Sequence, residues 1–430
     1  MFRSTPARRR PAGGRPRWAA VAAVAAAGLM ALTACSSSNE VVVTVTAQAT
    51  SSGVTAPGLG ASSAPATSSA GDLATKVRVS ALPAFGSTDL PPNDPITITV
   101  FSAKIGELTV KADDGVEVKG EIAEDGATWT LTDRLAYNTT YTFAGTAVAA
   151  DGATTPIQGQ MSTVNPTETM RAAFNIPTGT TVGVAAPLII TFAGQVTDKA
   201  AAQATLHVTT DKGDIEGSWG WLQDEDIQGN GTLQSIVHFR PKEYWPAYTN
   251  VHFEADLNGV DYGTAWGRED ISSDFTIGRA QIVEADVNTF RMVVKVDGAV
   301  VKNYPVSYGK ESVPGRATVS GIHVVTEKFP VFSMCNQQFD YCGVDEKWAV
   351  RINNNGEFIH ENLKSVEFQG KANVSHGCVN MGPGDAEDYY NSALYGDPVE
   401  VSNTGTPMTN ADAIYDWSYS WDEWKALSKI

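Results

Sequence analysis

The stretch NVSHGCVNMGPGD, residues 373–385, decides how the chain is read. It holds one cysteine, Cys378, with Ser375, His376 and Gly377 before it and Asn380 after it. Four fates are open to that thiol: packing residue, metal ligand, half of a disulfide, or nucleophile. A thiol attacks a carbonyl as its thiolate, so a nucleophile needs a base or imidazolium in hydrogen-bond reach and donors for the oxyanion. His360 ends a strand-like run, 18 residues before Cys378. That interval allows a loop and a return that bring the two side chains together. Gly377 lacks a Cβ, so the backbone can turn sharply there and aim the amides of Gly377 and Cys378 at an oxyanion.

The other cysteines bear on the choice. Residues 1–34 read as an export signal: Arg3, Arg8, Arg9, Arg10, Arg15 and Arg17, then an Ala/Val-rich run from Trp18 to about Leu32. The run is short for a membrane span and fits a cleaved signal. Leu32-Thr33-Ala34-Cys35 resembles the bacterial lipoprotein cleavage box, which implies cleavage before Cys35 and lipid on its thiol. The competing reading is an uncleaved anchor helix. Outside the cytoplasm disulfides persist. Cys335 and Cys342 lie seven residues apart and are the expected pair. Cys378 is then left over, and an unpaired thiol in an exported protein is flagged as reactive.

The formal net charge of −17 argues against nucleic acid as a partner, because phosphates require a basic face. Residues 35–73, after the lipidated cysteine, are Ser, Ala, Thr, Gly and Pro with few large apolar side chains. They bury too little to offset chain entropy and read as a tether. Beyond them the chain is rich in Thr, Val and Gly, which suits a mainly β fold. Two segments look alike. Each has an alternating strand, a corner with an aromatic residue (Tyr137; Tyr244 and Trp245), then a strand carrying Phe143 or Phe253, 110 residues apart. They predict two tandem immunoglobulin-like β-sandwiches, over 74–163 and 164–278. One larger β-domain is the alternative. His207, His238 and His252 fall on strand patterns as surface or packing residues.

A third, β-rich domain is expected over 279–403. It opens on a hairpin with an Asp297-Gly298 turn and has one main helix after the cysteine motif. There Ala386, Tyr389, Tyr390, Ala393 and Leu394 make an apolar stripe, with Asp385 as a candidate cap. The segment 404–430 carries Trp417, Tyr419, Trp421 and Trp424 and is expected to pack on this third domain.

His360 followed by Ser375-His376-Gly377-Cys378-Val379-Asn380 resembles the signature of L,D-transpeptidase (YkuD-type) catalytic domains. VVKNYPVSYGKES (300–312), Trp348 and the closing DPVEV (397–401) resemble that domain too. HFRPKEYWPAYTNVHFEADLNGVDYG resembles the second immunoglobulin-like domain of actinobacterial members. The resemblance implies that Cys378 is the nucleophile and His360 the general base. Ser375 and His376 orient the site, backbone amides at Gly377 and Cys378 form the oxyanion hole, and Asn380 supports it. It implies attack on the amide between the third and fourth residues of a peptidoglycan tetrapeptide stem, with release of D-Ala and a thioester. The side-chain amine of a second stem's diamino acid then makes a 3→3 cross-link. Carbapenems are implied as covalent inhibitors, and no cofactor or metal. Substrate contact is implied at Met334, Tyr341 and Trp348. Glu361 stands after the base, where relatives carry Gly or Ser. Relatives place a tyrosine 18 residues before the base; here that place is Cys342, with Tyr341 beside it. Either the register slips by one and Tyr341 serves, or the hydroxyl is lacking. The implied location is the outer face of the cytoplasmic membrane, anchored through Cys35.

Three other readings compete. A zinc site from His360, His376 and Cys378 lacks a recognisable ligand spacing. Wall-hydrolysing cysteine peptidases place the cysteine before the histidine, the reverse of this order. A non-enzymatic wall-binding lipoprotein would leave the nucleophile and base unused, whereas hydrolysis of stems remains open as a side activity.

Overall fold

The computed structural model describes residues 76–409 and 414–430. The export signal, Cys35 and the tether lie outside the described residues.

The first β-unit is made of two four-stranded sheets. One runs Arg78–Leu82, Thr97–Phe101, Thr128–Leu131, Gly120–Ile122; the other runs Glu117–Val118, Ala103–Ala112, Thr140–Ala149, Thr154–Ser162. Alternation decides which side chains meet between them. Ile98 and Val100 from one sheet and Phe143, Ala147 and Ile157 from the other share a core. Trp129 meets Phe143 edge-on at 6.2 Å. The corner residue Tyr137 ties this unit to the next: its hydroxyl donates to Gly267 O at 2.7 Å and accepts from Gly259 N at 2.9 Å.

The second unit repeats the plan. Ala172–Phe174, Leu188–Phe192, Ile236–Pro241 and Gly217–Trp221 form one sheet; Thr181–Val182, Ile271–Ile277, Thr249–Ala255 and Leu206–Thr210 form the other. Phe192, Trp219, Phe239, Phe253 and Phe275 fill the space between. His238 is buried here, with Nδ1 3.0 Å from both carboxylate oxygens of Asp416.

The third unit has two sheets and the helix Pro383–Ser392. A five-stranded sheet runs Ala299–Pro305, Arg291–Val296, Gln281–Asp286, Pro398–Ser402, Gly321–Val324. A four-stranded sheet runs Glu327–Asn336, Tyr341–Arg351, Phe358–Glu361, Val379–Met381. The expected hairpin is present: Asp297 and Gly298 both have positive φ, +49° and +84°, as a two-residue turn of matching twist requires. Val283, Val294, Ile359, Val379 and Val399 join both sheets in one core, onto which the helix lays Ala386 and Tyr389. The helix starts differently from expectation. Gly382 occupies the cap position without a side-chain bond, Pro383 starts the first turn, and Asp385 sits within it. Proline suits that place because its missing N–H has no partner there anyway.

The C-terminal segment packs on the second sandwich as well as on the third unit. Arg240, buried on a central strand, draws the tail aromatics to itself: its guanidinium lies 4.8, 5.4 and 5.2 Å from the ring centroids of Trp417, Trp421 and Trp424. Trp424 is fully buried and donates to Ser218 O at 2.9 Å; Trp417 donates to Ala185 O at 3.0 Å. On the third unit, Tyr415 and Met408 meet Val319.

Candidate active site

The strands Phe358–Glu361 and Val379–Met381 pair in parallel, with His360 opposite Asn380. Side chains alternate along a strand, so Cys378, two residues before Asn380, projects to the same face as His360. The sequence interval of 18 residues thus becomes one diagonal step across a strand pair. Cys378 is half-buried and is the free cysteine among the described residues. It opens onto a cavity of about 470 Å³ lined by Met334, Tyr341, Glu357, Phe358 and His376.

The turn that presents Cys378 is held from several sides. Ser375 Oγ donates to Cys378 O at 2.6 Å and accepts from Gly377 N at 3.2 Å. Thr318 Oγ1 donates to Gly377 O at 2.7 Å. Arg316 donates to the carbonyls of both Val374 and Ser375. Gly377 has φ +124°, a conformation that side-chain-bearing residues rarely adopt, which explains the glycine. The same geometry corrects the expected oxyanion hole. The Gly377 amide is committed to Ser375 Oγ, so it does not face the cavity.

His360 is buried and its Nδ1 donates to Glu361 O at 2.7 Å. That bond uses only the backbone of the residue after the base, so a glutamate serves there as well as a smaller residue. With Nδ1 occupied, Nε2 is the nitrogen left for the thiol. Burial by itself pushes the imidazole toward neutrality. The adjacent Cys378 sulfur and the Glu346 carboxylate outweigh burial and raise its pKa from 6.5 to about 10. The site therefore favours an imidazolium beside the Cys378 sulfur, and a cysteine reacts as a nucleophile in its thiolate form. His376 is shifted the other way. Partial burial, and then the Arg316 charge, lower its pKa and keep it neutral. Its ring lies 4.9 Å from Phe339 and 5.5 Å from Tyr341.

The hairpin Glu327–Asn336 and Tyr341–Arg351 overhangs the cavity, and Cys335 is bonded to Cys342 across it. Tyr341, not Cys342, turns toward the site. Its hydroxyl is held protonated by burial and by the nearby Cys378 sulfur, so it is available as a donor. Met334 lines the cavity wall and is buried against Ala349 and Phe358.

One expected substrate contact lies elsewhere. Trp348 is away from the cavity. Its backbone is left-handed (φ +54°), which breaks the strand's alternation, and its ring packs on Tyr390 at 5.2 Å. Asn380 is buried behind the site, where Nδ2 donates to Ser365 Oγ at 3.2 Å. Four participants escaped the sequence reading. Arg316 and Thr318 sit in a segment without periodicity. Glu346, on a strand, and Glu357, just before one, are acids with nothing in the one-dimensional pattern to separate them from solvent-facing ones. Among the described residues no group of three or more His, Cys, Asp or Glu is placed to hold a metal ion.

The chain is similar to known proteins over most of its length. Residues 280–401 match the model of the L,D-transpeptidase catalytic domain, and residues 87–261 match a bacterial Ig domain, a span that covers parts of both sandwiches. The chain is 43% identical to L,D-transpeptidase 5 of Mycobacterium tuberculosis over 355 residues, 82% of this chain and 77% of the relative. It is 32% identical to L,D-transpeptidase 2 of the same species over 350 residues, 79% of this chain and 82% of the relative. Among solved structures, LD transpeptidase LdtMt1 in complex with imipenem is similar at 28% identity and a TM-score of 0.45, covering 55% of this chain and all of that one. An L,D-transpeptidase from Mycobacterium smegmatis is similar at 28% identity and a TM-score of 0.44, covering 54% of this chain and 99% of that one. With its buried base, its free thiol and these relatives, the chain belongs to the L,D-transpeptidases, cysteine acyltransferases with a YkuD-type catalytic domain.

Proposed function

We propose that the protein cross-links peptidoglycan through Cys378. The observation that carries this reading is a free thiol at the mouth of a cavity, with a buried, proton-retaining histidine on the same face. Cys378 Sγ attacks the carbonyl between the third and fourth residues of a tetrapeptide stem. The S–C bond forms as the C–N bond breaks, His360 gives its proton to the leaving amine, and D-Ala departs. The side-chain amine of a second stem's diamino acid then attacks the thioester and gives up a proton to His360. The thiolate returns and a 3→3 cross-link remains. The developing oxyanion is met by the Cys378 amide and the Tyr341 hydroxyl. His376 and Met334 line the donor's place, and Ser375, Gly377 and Asn380 hold the turn. Carbapenems acylate the same sulfur. Incubation with a carbapenem should add one drug mass per chain, and Cys378→Ala should abolish the adduct; an adduct that survives the substitution refutes the assignment.

The segments 74–163 and 164–278 act as tandem immunoglobulin-like spacers for the catalytic domain over 279–403. The basic and apolar N-terminal pattern before Cys35 supports export and lipidation, which would fix the chain on the outer face of the cytoplasmic membrane. Labelled palmitate should enter the wild-type chain in cells and not a Cys35→Ala chain; equal labelling would contradict the anchor.

A further inference from the structure

Glu346 lies outside every motif that pointed to the site. It stands on the strand Tyr341–Arg351, and its Oε2 lies 3.7 Å from His360 Nδ1, with the two side chains 14% and 5% exposed. Since Nδ1 already donates to Glu361 O at 2.7 Å, the carboxylate acts on the ring through its charge. Asn362 Nδ2 donates to Glu346 Oε1 at 3.0 Å and so fixes the carboxylate with Oε2 toward the imidazole. Asn362 is itself anchored, its Oδ1 accepting from Ser365 N at 3.0 Å. The charged groups that face His360 are Glu346 from the hairpin and the Cys378 sulfur from the turn. A backbone carbonyl orients the ring, but only an anion adds a full charge where water is largely excluded.

We propose that Glu346 is a positioning residue for the transpeptidation, its carboxylate stabilising the His360 imidazolium and through it the Cys378 thiolate. The step is one internal proton transfer: the S–H bond of Cys378 breaks, the Nε2–H bond of His360 forms, and no other reactant is needed. This rests on the reading of Cys378 and His360 as nucleophile and base.

Glu346→Gln keeps the shape and an acceptor for Asn362 while removing the charge. The assay is the rate of carbapenem acylation across pH, read by intact mass, with thermal unfolding of each variant. The expected result is a rate at neutral pH lower by about tenfold or more, with the alkaline limb moved to lower pH. The limb moves down because Glu346 raises the proton affinity of His360. Glu346→Asp should recover part of both effects. The proposal is overturned if Glu346→Gln matches wild type, if its rate falls with an unchanged pH profile, or if Glu346→Asp recovers nothing. Cys378→Ala is run beside them. If that variant is still acylated, the nucleophile reading has failed. If it is inert while Glu346→Gln matches wild type, only the role of Glu346 has failed.

Discussion

Ser375→Ala tests how the nucleophile is held. The hydroxyl is buried and bonds both ends of the turn, donating to Cys378 O at 2.6 Å and accepting from Gly377 N at 3.2 Å. Alanine fills nearly the same space but leaves two backbone groups without that partner. A buried group stripped of its partner costs about 1–3 kcal/mol, so the pair should cost roughly 2–6 kcal/mol if the turn does not relax. Part of that cost will be relieved by movement of Gly377, whose backbone is free to leave φ +124° once the bond to Ser375 is lost. Movement there displaces Sγ from His360. Each tenfold loss of rate corresponds to about 1.4 kcal/mol, so acylation should slow by about 10- to 100-fold while a lower melting temperature reports the rest. Carbapenem acylation followed by intact mass, beside thermal unfolding, reads both. A Ser375→Ala protein with wild-type acylation and wild-type melting would refute the reasoning. A loss of stability without loss of rate would refute the link between the turn and the thiol.

The hairpin and the tail give three further predictions. Alkylation of the native protein should modify Cys378 and spare Cys335 and Cys342 until a reductant is added; modification of all three without reductant would remove the bridge. Replacing Cys335 and Cys342 together by serine should cost about 2 kcal/mol, the chain-entropy value for so short a loop, and should slow acylation by loosening Tyr341 over the cavity. Trp424→Ala, at a fully buried site, should lower stability by about 3–5 kcal/mol and release the C-terminal segment to proteolysis, with acylation at low temperature close to wild type. A melting temperature equal to wild type would contradict the packing of the tail on Arg240.

The parts of the site that are local in sequence were legible in it. Cys378, His360, Ser375 and Gly377 lie within 19 positions, and strand alternation plus one glycine turn suffices to bring them together. The alternating strands of both sandwiches and the Asp297-Gly298 hairpin were legible for the same reason. What depends on long-range pairing was not. Glu346 reaches His360 only because the hairpin strand Tyr341–Arg351 lies beside Phe358–Glu361, and nothing in its neighbourhood marks it as half-buried. Trp348 entered through the family resemblance, which does not say which way its side chain faces; its left-handed backbone and its packing on Tyr390 take it away from the cavity. The tail's second neighbour was not legible because aromatic density says that a segment packs, not on what; Arg240, buried some 180 residues earlier, draws it to the second sandwich. The Gly377 amide was misassigned because its nearest acceptor, Ser375 Oγ, competes for it.

The central claim is that Cys378 carries the acyl group from one stem to another. The most direct measurement is mass analysis of products after incubation with disaccharide-tetrapeptide stems. The account predicts loss of D-Ala, a dimer joined 3→3, and a transient thioester on Cys378, all abolished by Cys378→Ala. Release of D-Ala with no dimer would show hydrolysis in place of transfer, and dimer formation by the Cys378→Ala protein would contradict the account outright.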